Sequence, residues 1–403
     1  MNAGGAEPDE PPRPAGAVLR DEVLEAMLAA GLAAAGVARA EPFVSTRRDL
    51  VERRAAGLHG GMAFTYRNPD RSTDPSRILA GARSLVVGAY GYLRRPPGGA
   101  DRPGASGPSG ESGEVVDAVV PARVARYAWA DHYADLRTAL SAGAAVLRSA
   151  GHRTVVVADD NALVDREAAQ RAGIGWYGRN ANLLLPGRGS WYVLGTVVTD
   201  ADLPVSRPVE PGCGGCTRCL GACPTGAIVA PGVVDARRCL AWLLQATGPF
   251  PRELRPALGD RMYGCDDCQE VCPPNLTAEH RGTIPEDGAA GATVDVRAFL
   301  RDDDEEVLGA AGRWYVPRRQ ARYLRRNALV VLGNVGDAAD DRVLALLEAG
   351  LGNEDPLVRA HAVWACARLG RPDLADGLAA TEADPMVREE LDRRGEVPAR
   401  AHR

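Results

Sequence analysis

Residues 213–228 read CGGCTRCLGACPTGAI, four cysteines at spacings of two, two and three with Pro224 after the last. A [4Fe-4S] cluster takes four thiolates. A C-x2-C-x2-C-x3-C-P run wraps three of them around one cube, and in two-cluster ferredoxins the fourth ligates the other cluster. The stretch is therefore half of a site, and a second cysteine group is required. Cys239 in DARRCLAW and Cys265, Cys268 and Cys272 in YGCDDCQEVCPPN supply it, with Pro273 again following the last cysteine. The crossed assignment gives Cys213, Cys216, Cys219 and Cys272 to one cluster and Cys239, Cys265, Cys268 and Cys223 to the other. Cys239 stands 26 residues before Cys265 where a simple repeat has three, so a helix, the apolar LAWLL run, must fill the gap. Paired zinc knuckles are the alternative, but two Cys-Pro endings with three-residue spacing suit iron and sulfur better. Two adjacent low-potential clusters make an electron wire, and a wire implies a redox centre at its end.

The rest of the composition agrees with a reducing environment. With 403 residues and 45% hydrophobic content the chain can form two or three packed domains. No stretch approaches the roughly 20 apolar residues of a membrane helix, and MNAGGAEPDEPPRPAG lacks the order of a secretory signal, so a cytoplasmic protein is expected. Nine cysteines in such a protein point to metal rather than disulfides, and the ninth, Cys366 in HAVWACARLG, reads as a buried core thiol. A net charge of -5 argues against a chain that coats nucleic acid over its whole surface. All 48 basic residues are arginines, which excludes lysine Schiff-base chemistry and a lysine-bearing phosphate loop.

Along the chain, residues 1–16 are proline-rich and charged and read as a disordered tail. From Val18 the periodicity predicts a helix ending near Gly36. Residues 84–93, 154–159 and 191–200 read as strands, with a long helix before the second, giving an α/β domain over 17–202. Residues 94–114 form a Pro/Gly/Ser loop, expected to be a flexible insertion. A bacterial-ferredoxin-like domain with two [4Fe-4S] clusters spans 203–280, and an acidic, glycine-rich connection follows over 281–312. In 313–403, NALVVLGNVGD aligns with HAVWACARLGRPD and DPLVRAHAV with DPMVREELD, the sign of a HEAT-like α-solenoid. Its entrance, GRWYVPRRQARYLRRNALV, lets Pro317 start a helix on which Arg318, Arg319, Arg322, Arg325 and Arg326 recur among Trp314, Tyr315 and Tyr323. Guanidinium groups match phosphates and aromatic rings stack on bases, so this is either an RNA face or a solvated helix surface.

The set GMAFTYRNPDRSTDP, RYAWADHY, DDNALVDREAAQRAGIGWYGRNANLLL, GSWYVLG, the eight cysteines, LGDRMYGCDDCQEVCPPN and RWYVPRRQARYLRRNAL resembles the epoxyqueuosine reductases over about residues 17–395. The resemblance implies that 17–202 is a cobalamin-binding catalytic domain and that the HEAT-like domain binds tRNA. It also implies reduction of epoxyqueuosine to queuosine at the tRNA wobble position, with electrons passing through the clusters to cobalamin. Asp159 matches the family's proton donor by lying 13 residues before the AGxGW motif at Ala172, with Asp160 and Asp165 as competitors and a strand-end cap as the plain structural role. Arg71, Ala125, Asp159, Val164, Leu183, Leu194, Ala241 and Asp266 match cofactor-contact positions, Arg71 being otherwise a surface ion-pair former. Arg318, Arg319 and Arg322 are the RNA-binding candidates. The implied partners are tRNA through its anticodon stem-loop and an external electron donor, with no membrane and a monomeric protein. Two departures stand out: the usual GxGK is Gly178-Arg179, and the usual DYH reads Asp131-His132-Tyr133. Competing readings are a cobalamin and iron-sulfur reductase of a small molecule, of reductive-dehalogenase type, and a non-catalytic iron-sulfur electron carrier.

Overall fold

The structure is a computed structural model that describes residues 14–95, 120–281, 284–285, 291–301 and 303–397. Of the expected tail (1–16) and loop (94–114), all but residues 14–16 and 94–95 lie outside the described residues. Helix α1 (Ala15–Ala29) is shorter than the periodicity predicts. Gly31, at φ +103°, turns the chain, and the alanine-rich stretch that follows is strand β1 (Ala34–Arg39). Alanine carries little strand preference of its own, and what decides is pairing: Ala34 to Arg39 run antiparallel to Ala89 to Ser84 of β2 (Ser84–Gly91). Gly36 could be no other residue, since a Cβ there would sit 2.1 Å from the Ala172 carbonyl oxygen.

After helix α2 (His132–Ser149), strand β3 (Thr154–Ala158), helix α3 (Asp165–Arg171) and strand β4 (Tyr192–Thr199) complete this part. The strands form one fully antiparallel sheet in the order β1-β2-β4-β3. Successive side chains point to opposite faces, so Val86 and Val197 meet Val23, Met27, Leu136 and Leu140 of α1 and α2. Leu85, Val87 and Val198 meet Phe43, Leu163 and Ala168 on the other face. Both faces are covered, which is why the strands read as almost continuous apolar runs; burying each such side chain contributes roughly 1.5–3 kcal/mol. The register pairs Ala158 with Gly195 and Gly195 with Gly88, so Asp159 leaves β3 at the end of the sheet where β2 finishes and β4 begins.

The cysteine-rich part is held by short elements, among them helix α4 (Leu240–Leu243), which fills the gap after Cys239 as the sequence predicts. A second sheet has Pro121–Val124 at its centre, Arg261–Tyr263 parallel on one side and Thr293–Asp295 antiparallel on the other. It crosses the expected boundaries at 203 and 281. Helices α5 (Arg322–Val335), α6 (Asp341–Leu351), α7 (Pro356–Arg368) and α8 (Pro385–Asp392) follow. The two DP dipeptides of the repeat start α7 and α8: Asp355 and Asp384 accept the first free backbone N–H groups, and proline takes the first helical position. One core runs through both parts, joining Leu240, Phe250, Met262 and Tyr263 to Trp314, Leu324 and Leu329.

Of the basic stripe expected at the solenoid entrance, Arg325 and Arg326 do not reach the surface, because α5 is buried from Tyr323 to Asn334. Arg325 donates to the Arg301 carbonyl and pairs with Asp304. Arg326 is fully buried and donates to the carbonyls of Leu243, Leu244, Ala246 and Gly248 just beyond α4. Burial lowers its guanidinium to about 9. Arg326→Met should leave two buried and two half-buried carbonyls without that donor and cost on the order of 3 kcal/mol or more, read as a drop in denaturation midpoint against wild type.

Candidate metal centres and active site

The eight cysteines fall into two groups. Cys219 feels Cys213 and Cys216, and Cys272 feels Cys213, Cys219 and Cys216. Cys268 feels Cys265, Cys239 and Cys223, and Cys239 feels Cys223. Burial pushes the Cys265 thiol up to about 12 and the Cys272 thiol up to about 11, with neighbouring charges adding to it. Burial would raise Cys223 as well, but the N–H groups of Thr225, Ala227 and Ile228 outweigh it and lower the thiol; the Ala227 N–H donates to Sγ at 3.2 Å. Crowded thiols of this kind ionise when a cationic centre takes them as ligands. Among the described residues no group of three or more His, Cys, Asp or Glu side chains is arranged to hold a single metal ion. Cys366 is fully buried in α7 among apolar side chains.

Asp159 follows β3 with φ +55°, a left-handed conformation that costs about 1 kcal/mol or more in a non-glycine residue. The residue stands exposed at the sheet end, yet partial burial of the carboxyl raises its pKa above the ordinary value; Arg137 opposes the rise and Asp160 adds to it. Arg137 also donates to the Ala158 carbonyl at 3.4 Å and lies 5.9 Å from the Tyr133 ring centre. Burial and then the Asp159 charge raise the Tyr133 phenol; burial raises that of Tyr263 against hydrogen bonds with Tyr315 and Tyr127, with Asp159 adding a smaller push, so both stay neutral donors. Tyr127 is raised by burial and then by Tyr263, with Asp266 and Tyr133 adding to it. Three tyrosines and Asp159 thus share one electrostatic environment.

The other cofactor candidates come together in pairs. Arg71 is exposed beside Ser72, whose carbonyl accepts the Val164 N–H at 3.0 Å. Asp266 accepts the Arg126 N–H at 2.7 Å, which sets it against Ala125. Leu183 and Leu194 lie in one core with Val164 packed against it. Ala241 is in α4, two residues from Cys239, and its N–H bonds the Cys239 sulfur. Two cavities of about 360 and 370 Å³ lie elsewhere, the first near Arg94, Arg188 and Trp191 and the second near Gly60, Arg237 and Trp242, and Asp159 lines neither.

The two departures separate in the structure. His132 is buried against Tyr90 and Tyr92, neither ring nitrogen finds a hydrogen-bond partner among the described residues, and burial lowers it to about 4. Tyr133, the next residue, is the one that reaches Asp159. Arg179 donates to the Gly214 carbonyl at 2.6 Å, inside the first cysteine run.

At the solenoid entrance, Pro317–Arg319 form a 3-10 turn, and Arg318 and Arg319 both take positive φ. Arg319 folds back onto the carbonyls of Gly312, Trp314 and Leu308, and Arg322 pairs with Asp355 at 2.7 Å. Arg318 is exposed, and Tyr315 nearby is 59% exposed. Trp314 stacks on Tyr263 at 4.6 Å, and the Tyr315 N–H donates to the Tyr263 hydroxyl at 2.9 Å. The sequence reading missed Tyr127, Tyr133, Tyr263 and Arg166. All four stand inside the motifs quoted for the resemblance, but tyrosines beside core positions look the same in a sequence whether they fill space or face a substrate. Among the described residues no helix is long and apolar enough to cross a membrane.

The family of 4Fe-4S double cluster binding domains matches residues 212–275, and the family of HEAT repeats matches 318–391. The epoxyqueuosine reductase of Burkholderia pseudomallei is 37% identical over 352 residues, covering 77% of this chain and 82% of that protein. A crystal structure of epoxyqueuosine reductase with an epoxyqueuosine-modified tRNA-Tyr stem loop superposes with a TM-score of 0.81 at 27% identity, covering 94% of this chain and 98% of the other. The Bacillus subtilis enzyme, in a structure with its catalytic aspartate loop swung out of the active site, gives 0.80 at 27% identity with the same coverage.

Proposed function

The chain belongs to the epoxyqueuosine reductase family, and from that premise we propose that the groups gathered around Asp159 reduce epoxyqueuosine to queuosine at the wobble position of tRNA. The observation that carries the reading is Asp159 itself: a carboxyl raised above its ordinary value, at the open end of the sheet, in the same field as two neutral phenols. Opening an epoxide puts negative charge on its oxygen. A protonated carboxyl placed there neutralises that charge as it forms, and neutral phenols can hydrogen-bond the same oxygen.

The surrounding residues fit cobalamin. Val164, Leu183 and Leu194 offer an apolar wall and Ala125 and Ala241 offer small side chains. Arg71 stands exposed for the amide fringe of a corrin, and the buried His132 offers no nitrogen to a metal. When bound, cobalamin and the two clusters would supply low-valent cobalt, a strong nucleophile and reductant, and the electrons that renew it. The chain's own contribution is position and protons. Arg137 fixes the strand end through the Ala158 carbonyl, and Arg166 lies where it acts on Asp165, Tyr133 and Cys239 at once, so the acid side and the Cys239 side of the site share one cation. We place the tRNA stem-loop on the turn at Arg318 and Tyr315, with Arg319 and Arg322 shaping that turn through their bonds to the protein.

The test is an anaerobic incubation of cluster-loaded protein, cobalamin, a strong reductant and an anticodon stem-loop carrying epoxyqueuosine, followed by mass analysis of the nucleosides. Loss of one oxygen is expected. An unchanged epoxide with clusters and cobalamin bound would overturn the substrate assignment.

A further inference from the structure

Reduction of the epoxide to the alkene takes two electrons and two protons and releases the oxygen as water, and a chain that turns over must draw both electrons from outside. Resting on the two crossed cysteine sets and not on the choice of substrate, we propose that electrons enter at the first cysteine run, residues 213–223, where an exposed rim of glycines and arginines docks a small acidic protein that carries one electron at a time.

The two cysteine sets differ in what surrounds them. The set with Cys239, Cys265 and Cys268 lies toward the acid: Arg166 acts on Cys239 and also on Tyr133 and Asp165, and Asp266, next to Cys265, accepts the Arg126 N–H at 2.7 Å. Between residues 261 and 275 no side chain is exposed. Around the other set the surface opens. Gly212, Gly214, Gly215, Thr217, Arg218 and Gly221 are exposed, with Cys213 and Cys216 half-buried among them. A Cβ on Gly214, Gly215 or Gly221 would meet nothing within 4 Å, so the loop that carries these ligands faces open space with bare backbone. Electron transfer weakens steeply with separation, and such a loop lets a partner come close to the sulfurs it holds.

The charge of the rim sets the sign of the partner. Arg179 donates to the Gly214 carbonyl at 2.6 Å, Arg218 opens the short helix Arg218–Ala222 that carries Cys219, and the Arg238 guanidinium lies 3.2 Å from where a Cβ on Gly226 would be. Arginine at 179, where the family usually has lysine, can hold that carbonyl with one Nη and keep further N–H groups for a carboxylate. Between residues 203 and 240 Asp235 is taken by Arg237, and the exposed charges that make no ion pair among the described residues are Arg207, Arg218 and Arg238 against Glu210. This basic balance stands in a chain whose net charge is -5. An acidic partner is steered to such a rim, and steering raises association rates by roughly 10- to 10³-fold at low salt. With the clusters in place, each docking oxidises the carrier by one electron and reduces the Cys213 centre by one. Passage of that electron to the Cys239 centre frees the entry point, and two dockings supply one turnover.

The probe is a plant-type [2Fe-2S] ferredoxin, an acidic one-electron donor of low potential, reduced and mixed anaerobically with the cluster-loaded protein in the absence of tRNA. Stopped-flow bleaching of the clusters should give a second-order rate that falls as salt is added. Arg218→Glu combined with Arg238→Glu should keep the iron content, lower that rate at low salt by about tenfold or more, and flatten its salt dependence. Calorimetric binding of the oxidised ferredoxin should weaken in parallel. Reduction by the methyl viologen radical, a small cation that needs no docking, should not slow, and Arg342→Glu in α6 should leave the ferredoxin rate within about twofold of wild type. A wild-type rate that ignores salt or rises with it overturns the acidic partner whatever the variants do. A double variant as fast as wild type, or an Arg342→Glu variant as slow as the double one, overturns the site. Equal slowing with methyl viologen makes the arginines supports of the clusters and overturns their docking role. Clusters that neither donor reduces would overturn the electron path on which the proposal rests.

Discussion

Asp159→Asn should retain both clusters and bind the stem-loop, yet convert epoxyqueuosine about 10²- to 10⁴-fold more slowly, the usual contribution of a positioned general acid. The amide keeps the shape and the left-handed turn, since asparagine tolerates that conformation at least as well as aspartate, and loses only the proton. In wild type the sign of the pH dependence is fixed by the direction of the shift. The acid works in its protonated form, burial holds its pKa above the ordinary carboxylate value, and activity should therefore fall as pH rises through that raised value. The variant should lose this limb. A variant with normal turnover, or one that keeps the wild-type pH profile, would remove Asp159 from the chemistry.

The second large effect tests the crossed ligand sets. Cys272→Ala should cost about four of the roughly eight iron atoms and abolish turnover, because the electron path is broken. A double variant decides the crossing. If Cys223 belonged with its sequence neighbours, Cys213→Ala and Cys223→Ala together would lose no more iron than either alone, since both would empty the same centre. If the sets cross, as the electrostatic neighbours of Cys272 and Cys268 indicate, the double variant loses both clusters. Non-additivity between residues of one site is the signal to look for, measured as iron and sulfide content and by electron paramagnetic resonance.

Much of this site was legible in the residues because its chemistry depends on spacing. Thiolate ligands must sit at fixed intervals along a turn, so CGGCTRCLGACP announces them, and a helix after Cys239 follows from the 26-residue gap. The strands were legible because a sheet covered on both faces needs unbroken apolar runs. The first helix was read too long because alanine and valine after Gly31 fit either state until the β2 partner is present. The arginine face was misread for a related reason: periodicity places Arg325 and Arg326 on a helix but does not say that the helix is surrounded. Tyr133 and Arg166 could not be singled out, since their roles come from elements that meet only in the folded chain.

The core that joins Leu240, Phe250 and Met262 to Trp314 and Leu329 has a consequence for recombination between relatives. A tail that docked through a thin polar seam could be exchanged as a cassette, carrying its substrate preference with it. Here the exchange point would cut through apolar packing, through the carbonyls held by Arg326, and through the stack of Trp314 on Tyr263, whose phenol lies in the field of Asp159. Grafting the tail of one relative onto another should therefore yield a soluble chimera only when residues 240–263 travel with it. Inheritance of the HEAT-like tail and of the cysteine-rich half is linked by packing, even though the two are written as separate sequence motifs.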